Sequence, residues 1–135
     1  MAPPDYSYSY SSVFDNDNIG VGHGRGRLRS PQGWSAKGKN IGEWMQIDGG
    51  EVQSIAGVVV QGRHDMDQRV TLFDVEISDD GQKWVEVECG RIFDGNSDRD
   101  TKVFAVFTSP VLGRFVRIYP LDWQGHMSMR AALLL

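Results

Sequence analysis

From residue 43 onward the chain alternates short apolar runs with polar breaks. Residues 43–48, Glu-Trp-Met-Gln-Ile-Asp, predict a strand, and the β-branched run 55–61 suits a central one. Residues 70–78 alternate strictly. Phe73, Val75 and Ile77 fall on one face and Asp74, Glu76 and Ser78 on the other, the period-two signature of a half-buried strand. Asp79-Asp80-Gly81-Gln82 predicts a turn, with Lys83–Val87 returning as a hairpin partner. Residues 103–107 and 115–119 predict two further strands, closed by Ser109-Pro110 and by Pro120, and 127–135 predicts the last. No stretch has the spacing of an amphipathic helix of normal length. Many short strands with Gly and Pro punctuation predict an all-β sandwich or barrel.

The first third is punctuated differently. Residues 15–33 hold Asp15-Asn16-Asp17-Asn18 and Gly20, Gly22, Gly24 and Gly26, which mark an irregular excursion. Residues 35–42 and 62–69 are two more turn-rich segments, and 90–100 forms another connection. In residues 1–10, a lead set apart from the domain over 11–135, Tyr6, Tyr8 and Tyr10 alternate with serines. That pattern fits an edge strand and equally a flexible tail.

Composition narrows the class. A chain of 135 residues with 40% apolar content suits one domain with one core. A net charge of −4 argues against a nucleic-acid module, which needs a basic face. No run reaches the roughly 18 apolar residues of a membrane span. Met1-Ala2-Pro3-Pro4-Asp5 lacks the basic and apolar regions of a signal peptide. Localisation stays open: cytoplasmic or non-classically secreted for a full-length chain, extracellular for a domain excerpt. Cys89 is the lone cysteine, so no intrachain disulfide forms; it is expected to be a half-buried strand or turn residue. No nucleophile elbow, H-E-x-x-H, C-x-x-C or phosphate-loop pattern occurs, and the expectation is that the chain is not an enzyme.

An ordered series of short stretches carries a family resemblance. It runs through Arg27-Leu28, Trp34-Ser35, residues 42–48 (Gly-Glu-Trp-Met-Gln-Ile-Asp) and Val60-Gln61-Gly62-Arg63. It continues through residues 77–84 (Ile-Ser-Asp-Asp-Gly-Gln-Lys-Trp), residues 93–98 (Phe-Asp-Gly-Asn-Ser-Asp), Pro110, residues 114–123 (Arg-Phe-Val-Arg-Ile-Tyr-Pro-Leu-Asp-Trp) and Met129-Arg130. The chain resembles the discoidin domain family, also called the coagulation factor 5/8 type C domain, with a likeness to the N-terminal domain of slime-mould discoidin lectins. The resemblance implies an eight-stranded jelly-roll β-sandwich of the galactose-binding type. It also implies that loops 14–26, 34–42 and 62–69 form spikes at one end that bind glycans, phospholipid headgroups or protein partners. Many extracellular members close their ends with a cysteine pair, which this chain lacks. Lipid-binding members carry bulky apolar spike tips, whereas here only Val21, Ile41 and Met66 are apolar.

The expected ligand is a glycan or glycoprotein, with a protein partner at the same loops as the alternative and anionic phospholipid as a lesser one. A weak single site implies a homo-oligomer or a multidomain parent for avidity. Arg63 and Asp65 are expected to hold hydroxyls, with His64 and Arg69 in the same loop and His23 between two glycines at the edge. Trp34 either walls the pocket or packs as core. Lys37, Lys39 and Asn40, with Arg25, suggest a modest basic rim. No cofactor is expected, with calcium at Asp15 and Asp17 as a weak candidate. Trp44, Trp84 and Trp123 are read as structural. Arg114, Arg117 and Arg130 are read as fold-holding; Arg117 and Arg130 interrupt apolar runs and are expected to pair with carboxylates, Asp48, Asp98 and Asp122 being the candidates.

Overall fold

The computed structural model describes residues 1–135. Eight strands form an all-β jelly-roll sandwich: β1 (Tyr8–Tyr10), β2 (Trp34–Ser35), β3 (Met45–Gln61), β4 (Arg69–Ser78), β5 (Val85–Glu86), β6 (Phe93–Asp94), β7 (Val103–Gln124) and β8 (Ser128–Leu134). Three 3₁₀ turns complete the elements, and no helix is long and apolar enough to cross a membrane.

Two long strands build both layers. The start of β3 pairs with β1 and with residues 115–118 of β7, while its end pairs with β8 and with residues 103–106 of β7. The second half of β7 pairs with β4, which also carries β5 and β6. All of these pairings are antiparallel. The pairs expected as separate strands, 43–48 with 55–61 and 103–107 with 115–119, are therefore single bent strands. Register breaks between Asp48 and Gln53 and between Ile55 and Gly57 make the bends. Pro120 sits inside β7 because the ladder shifts there, between Leu72 and Phe73 of β4, and a bulge tolerates a residue with no N–H. Trp123 is a β7 residue paired with Val70. The hairpin partner after the Asp79–Gln82 turn is only Val85–Glu86.

Inward positions fill the core as the alternation predicts. Phe73, Val75 and Ile77 are buried against Ile47, Ile55, Val58, Val60, Ile118 and Leu133. Ser78, assigned to the polar face, is buried as well; its hydroxyl accepts the N–H groups of Asp80 and Gly81 and so closes the turn. The tyrosine alternation near the start resolves as a strand: Tyr8 is buried and donates its hydroxyl to the Ala131 carbonyl at 2.6 Å. Tyr10 stacks on Trp34 at 5.5 Å and accepts the Gly26 N–H on its hydroxyl oxygen.

The three arginines differ from one another. Arg114 pairs with Asp48, one of the candidate carboxylates, at 2.8 and 3.0 Å. Arg117 has no carboxylate partner. Its guanidinium lies between the rings of Trp44 and Trp84, at 4.0 and 4.2 Å, and its Nε donates to Gln46. Cation–π attraction from two faces replaces the expected ion pair. Arg130, 2% exposed, donates to the carbonyls of Gly62, Ser30 and Arg99 and to the Asp100 carboxylate. Asp98 and Asp122 are used locally, accepting from Thr101 and from the Trp123 N–H. Cys89 is exposed rather than half-buried, on a turn where Glu88, Cys89 and Gly90 all take positive φ.

Removing the Arg130 charge strands three loop carbonyls. Arg130→Met is expected to destabilise the domain by about 3–5 kcal/mol and to lower its melting temperature by roughly 10–15 °C; an unchanged thermal melt would contradict that role. Burial pushes the Tyr8 and Tyr10 hydroxyls well above the usual tyrosine pKa. The folded state therefore keeps protons that the unfolded chain releases near pH 10, and stability falls as pH rises through that point, by up to about 1.4 kcal/mol per pH unit for each tyrosine. Urea midpoints measured from pH 8 to 12 should drop above about pH 10, and the drop should shrink in Tyr8→Phe.

Candidate functional site

The three turn-rich loops do meet at one end of the sandwich. They are joined there by the Gln124–Met127 connection between β7 and β8, and together they enclose a cleft of about 400 Å³. Phe14 and His23 come from the first loop, Ser35 and Lys39 from the second, and Arg63, Met66 and Gln68 from the third. Gly125 and His126 close the fourth side.

Local bonding sets each side chain. In the first loop, Asp17 Oδ2 accepts both the His23 backbone N–H at 2.9 Å and the ring Nδ1–H at 2.8 Å. Those two bonds hold the Asp17 carboxyl below the usual carboxylate range. With Nδ1 donating, Nε2 of the neutral His23 ring is an acceptor. Gly22, at φ 52°, leaves room for that carboxylate; a Cβ there would lie 2.2 Å from Asp17 Oδ2. His126 Nε2 lies 2.7 Å from the Ala36 carbonyl, which can only accept, so its Nδ1 is also an acceptor. Phe14 packs edge-on against both imidazoles, at 4.9 and 5.8 Å, and keeps 40% of its surface exposed.

The third loop supplies donors. Arg63 is only 7% exposed. Its Nε and Nη2 donate to the Asp65 carboxylate, at 2.7 and 3.4 Å, and its Nη1 donates to Gln68 Oε1 at 3.1 Å. Two of its five N–H groups remain free. The Arg63 guanidinium keeps Asp65 below its ordinary pKa. Gln68 Oε1 also accepts from Ser128, which turns the amide so that its NH₂ is available to the cleft. Gly62 allows the close approach: a Cβ there would sit 2.7 Å from the Asp98 carbonyl.

Of the residues singled out from sequence, His23, Lys39 and Arg63 line the cleft, and Asp65 braces it from behind. Trp34 does not wall it. Trp34 is 0% exposed, stacked on Tyr10 with its Nε1 donating to the Ser12 carbonyl, so it is core. Lys37 reaches only Asn16, at 3.5 Å, and Asn40 is exposed at the second loop's tip; neither is on the cleft wall. His64 turns away to bond Asp100 at 2.7 Å, and Arg69 is occupied by Asp67 and Gln124. Asp15 and Asp17 gather no third acidic or imidazole ligand, since no group of three or more His, Cys, Asp or Glu converges in the chain. The residues missed were Phe14, Ser35, Gln68 and His126. A polar Gln124-Gly125-His126 turn between two apolar runs was the one available signal for His126.

The fold matches that of known proteins. The F5/8 type C domain model matches residues 5–133. Lactadherin of Sus scrofa is 37% identical over 108 residues, which cover 75% of this chain and 26% of lactadherin. Discoidin II of Dictyostelium discoideum superposes with a TM-score of 0.75 at 24% identity, over 93% of this chain and 52% of that one. The family 32 carbohydrate-binding module of NanJ from C. perfringens, solved with galactose, superposes with a TM-score of 0.69 at 12% identity, over 96% and 92% of the two chains. This chain thus spans about a quarter of lactadherin and about half of the discoidin II chain. A family match over nearly the whole length, joined to an eight-stranded jelly-roll, places the chain in the F5/8 type C (discoidin) domain family.

Proposed function

We propose that the domain is a non-catalytic binding module that holds a glycan in the cleft between the three loops. One observation carries this reading: free donors on Arg63 and Gln68 converge with acceptors on His23 and His126 around the exposed ring of Phe14. A sugar presents vicinal hydroxyls, each both donor and acceptor, beside an apolar ring face. Alternating fixed donors and acceptors suit the hydroxyls, and Phe14 offers a surface for the ring face. The galactose-bound module with the same fold supports the reading.

The cleft is shallow and polar, so it buries little area and must replace sugar hydration. A single site is then expected to bind in the millimolar range. Several copies, or neighbouring domains in a longer protein, would raise the effective affinity on a glycoprotein surface.

A second reading has its own observation. Ile19 adds a fourth apolar residue to Val21, Ile41 and Met66, all standing 45–66% exposed on the same three loops. Apolar tips around a polar cleft also suit shallow insertion into a headgroup layer. Flotation with anionic vesicles that is lost in Val21→Ser/Ile41→Ser would favour lipid, and failure to float at low salt would remove it.

For the glycan reading, amide NMR titration with galactose, N-acetylgalactosamine, glucose and mannose should move resonances of Phe14, His23, Arg63 and His126 together. Phe14→Ala and Gln68→Ala should each weaken binding by about tenfold, measured at a temperature where each variant is fully folded, since Phe14 also packs on two imidazoles and Gln68 also accepts from Arg63 and Ser128. A panel that leaves all cleft resonances in place at sugar concentrations far above the millimolar range would sink the proposal.

A further inference from the structure

A second depression, of about 560 Å³, lies beside the cleft and is lined by Arg25, Arg27 and Arg29 together with Leu28, Ser30 and Asp5. The concentration of positive charge is unexpected in a chain of net charge −4. Elsewhere Arg63, Arg69, Arg91, Arg114 and Arg130 each meet a carboxylate. Arg27 and Arg29 form no ion pair; Arg27 makes one long bond, 3.3 Å, to the Ala2 carbonyl. Asp5 is the only carboxylate on the wall and pairs with neither.

The backbone that presents these side chains is tied down. Gly26 and Leu28 exchange bonds with Ala131 of β8, at 2.8 and 3.2 Å, and the Ser30 N–H donates to the Arg27 carbonyl at 3.0 Å. Arg29 takes φ 67°, a left-handed conformation in which glycine or asparagine is cheaper, and its N–H is held there by Gln61 Oε1 at 3.0 Å. The turn thus places a long cation at its corner at a conformational cost. Arg25, on the groove wall, is tied to the loops that frame the cleft. Its guanidinium bonds the Gly22 carbonyl of the first loop and the Gln32 amide just before the second. Its charge also reaches Asp17 and Asp65, the carboxylates that brace His23 and Arg63.

We infer that this groove is an extended subsite for an acidic sugar residue, a carboxylate or a sulfate ester, of a glycan whose neutral end occupies the cleft. The inference rests on the glycan reading and names its ligand class as anionic oligosaccharide. Planar guanidinium groups with free N–H pairs meet a carboxylate or sulfate two oxygens at a time.

The test is titration calorimetry on the whole chain with tetragalacturonate, its methyl ester and a sulfated galactose tetrasaccharide, over a salt series. Wild type should bind at least one anionic probe about tenfold more tightly than the neutral ester near physiological salt, with the difference fading as salt rises. Arg27→Gln/Arg29→Gln, two exposed positions, should erase that difference and leave binding of the ester unchanged. The carboxylate and sulfate arms then identify the anion. Equal binding of ester and both anions by wild type overturns the subsite, as does a double variant that keeps the preference. Ester binding that is lost in Gln68→Ala but indifferent to the double variant would leave the cleft reading standing while the subsite falls with the preference. Binding of no oligosaccharide at all removes both. Vesicle binding sensitive to the double variant, without oligosaccharide binding, overturns the subsite in favour of a membrane surface.

Discussion

The loop end of this domain depends on one buried cation. Arg130 projects from β8 and spends its guanidinium on carbonyls of Ser30, Gly62 and Arg99 and on the Asp100 carboxylate. Those residues belong to three connections that share no ladder with one another. Burying a charge is costly, and the cost is offset only when its N–H groups are satisfied with good geometry. Here four acceptors at 2.8–2.9 Å do so. The same bonds fix where the third loop leaves β3 and where the Arg25–Ser30 segment crosses β8. The segments that frame the cleft and the arginine-lined groove are thus tied together through that side chain.

Within that frame the cleft is organised before any ligand arrives. His23 is held through both its backbone and its ring by Asp17, and Arg63 is locked between Asp65 and Gln68. Gln68 is itself turned by Ser128, whose hydroxyl bonds Ser35 across β2 and β8. Side chains already fixed lose little freedom on binding, which matters most for a weak polar ligand. Hydrogen bonds from His23 and from the Arg63 guanidinium hold these bracing carboxyls below their ordinary range.

The Trp44–Arg117–Trp84 stack shows a second way of keeping a cation on a sheet. Two indole faces and one amide replace a carboxylate, at the far side of the start of β3 from the core. An arginine interrupting an apolar run looks the same in sequence whichever solution is used. Arg114 took the ion pair, Arg117 the aromatic faces and Arg130 the carbonyl cage.

Period-two alternation in residues 70–78, the β-branched run at 55–61 and the clustering of glycine with aspartate and asparagine specify strands and loops locally, so the sequence alone determined the all-β class and the three loops. Spacing along a strand reads burial on one face, which is why Phe73, Val75 and Ile77 were legible. It does not read what crosses between strands. Whether two apolar runs are one bent strand depends on register breaks with a distant partner, and β3 and β7 were decided there. Trp34 is core and Phe14 stays part-exposed, because burial of a loop aromatic depends on what folds over it: Tyr10 covers Trp34, whereas His23 and His126 meet Phe14 only edge-on. His126 and Gln68 entered the cleft only through the meeting of four connections far apart in the chain. That convergence is a property of the closed sandwich, and no local pattern of side chains encodes it.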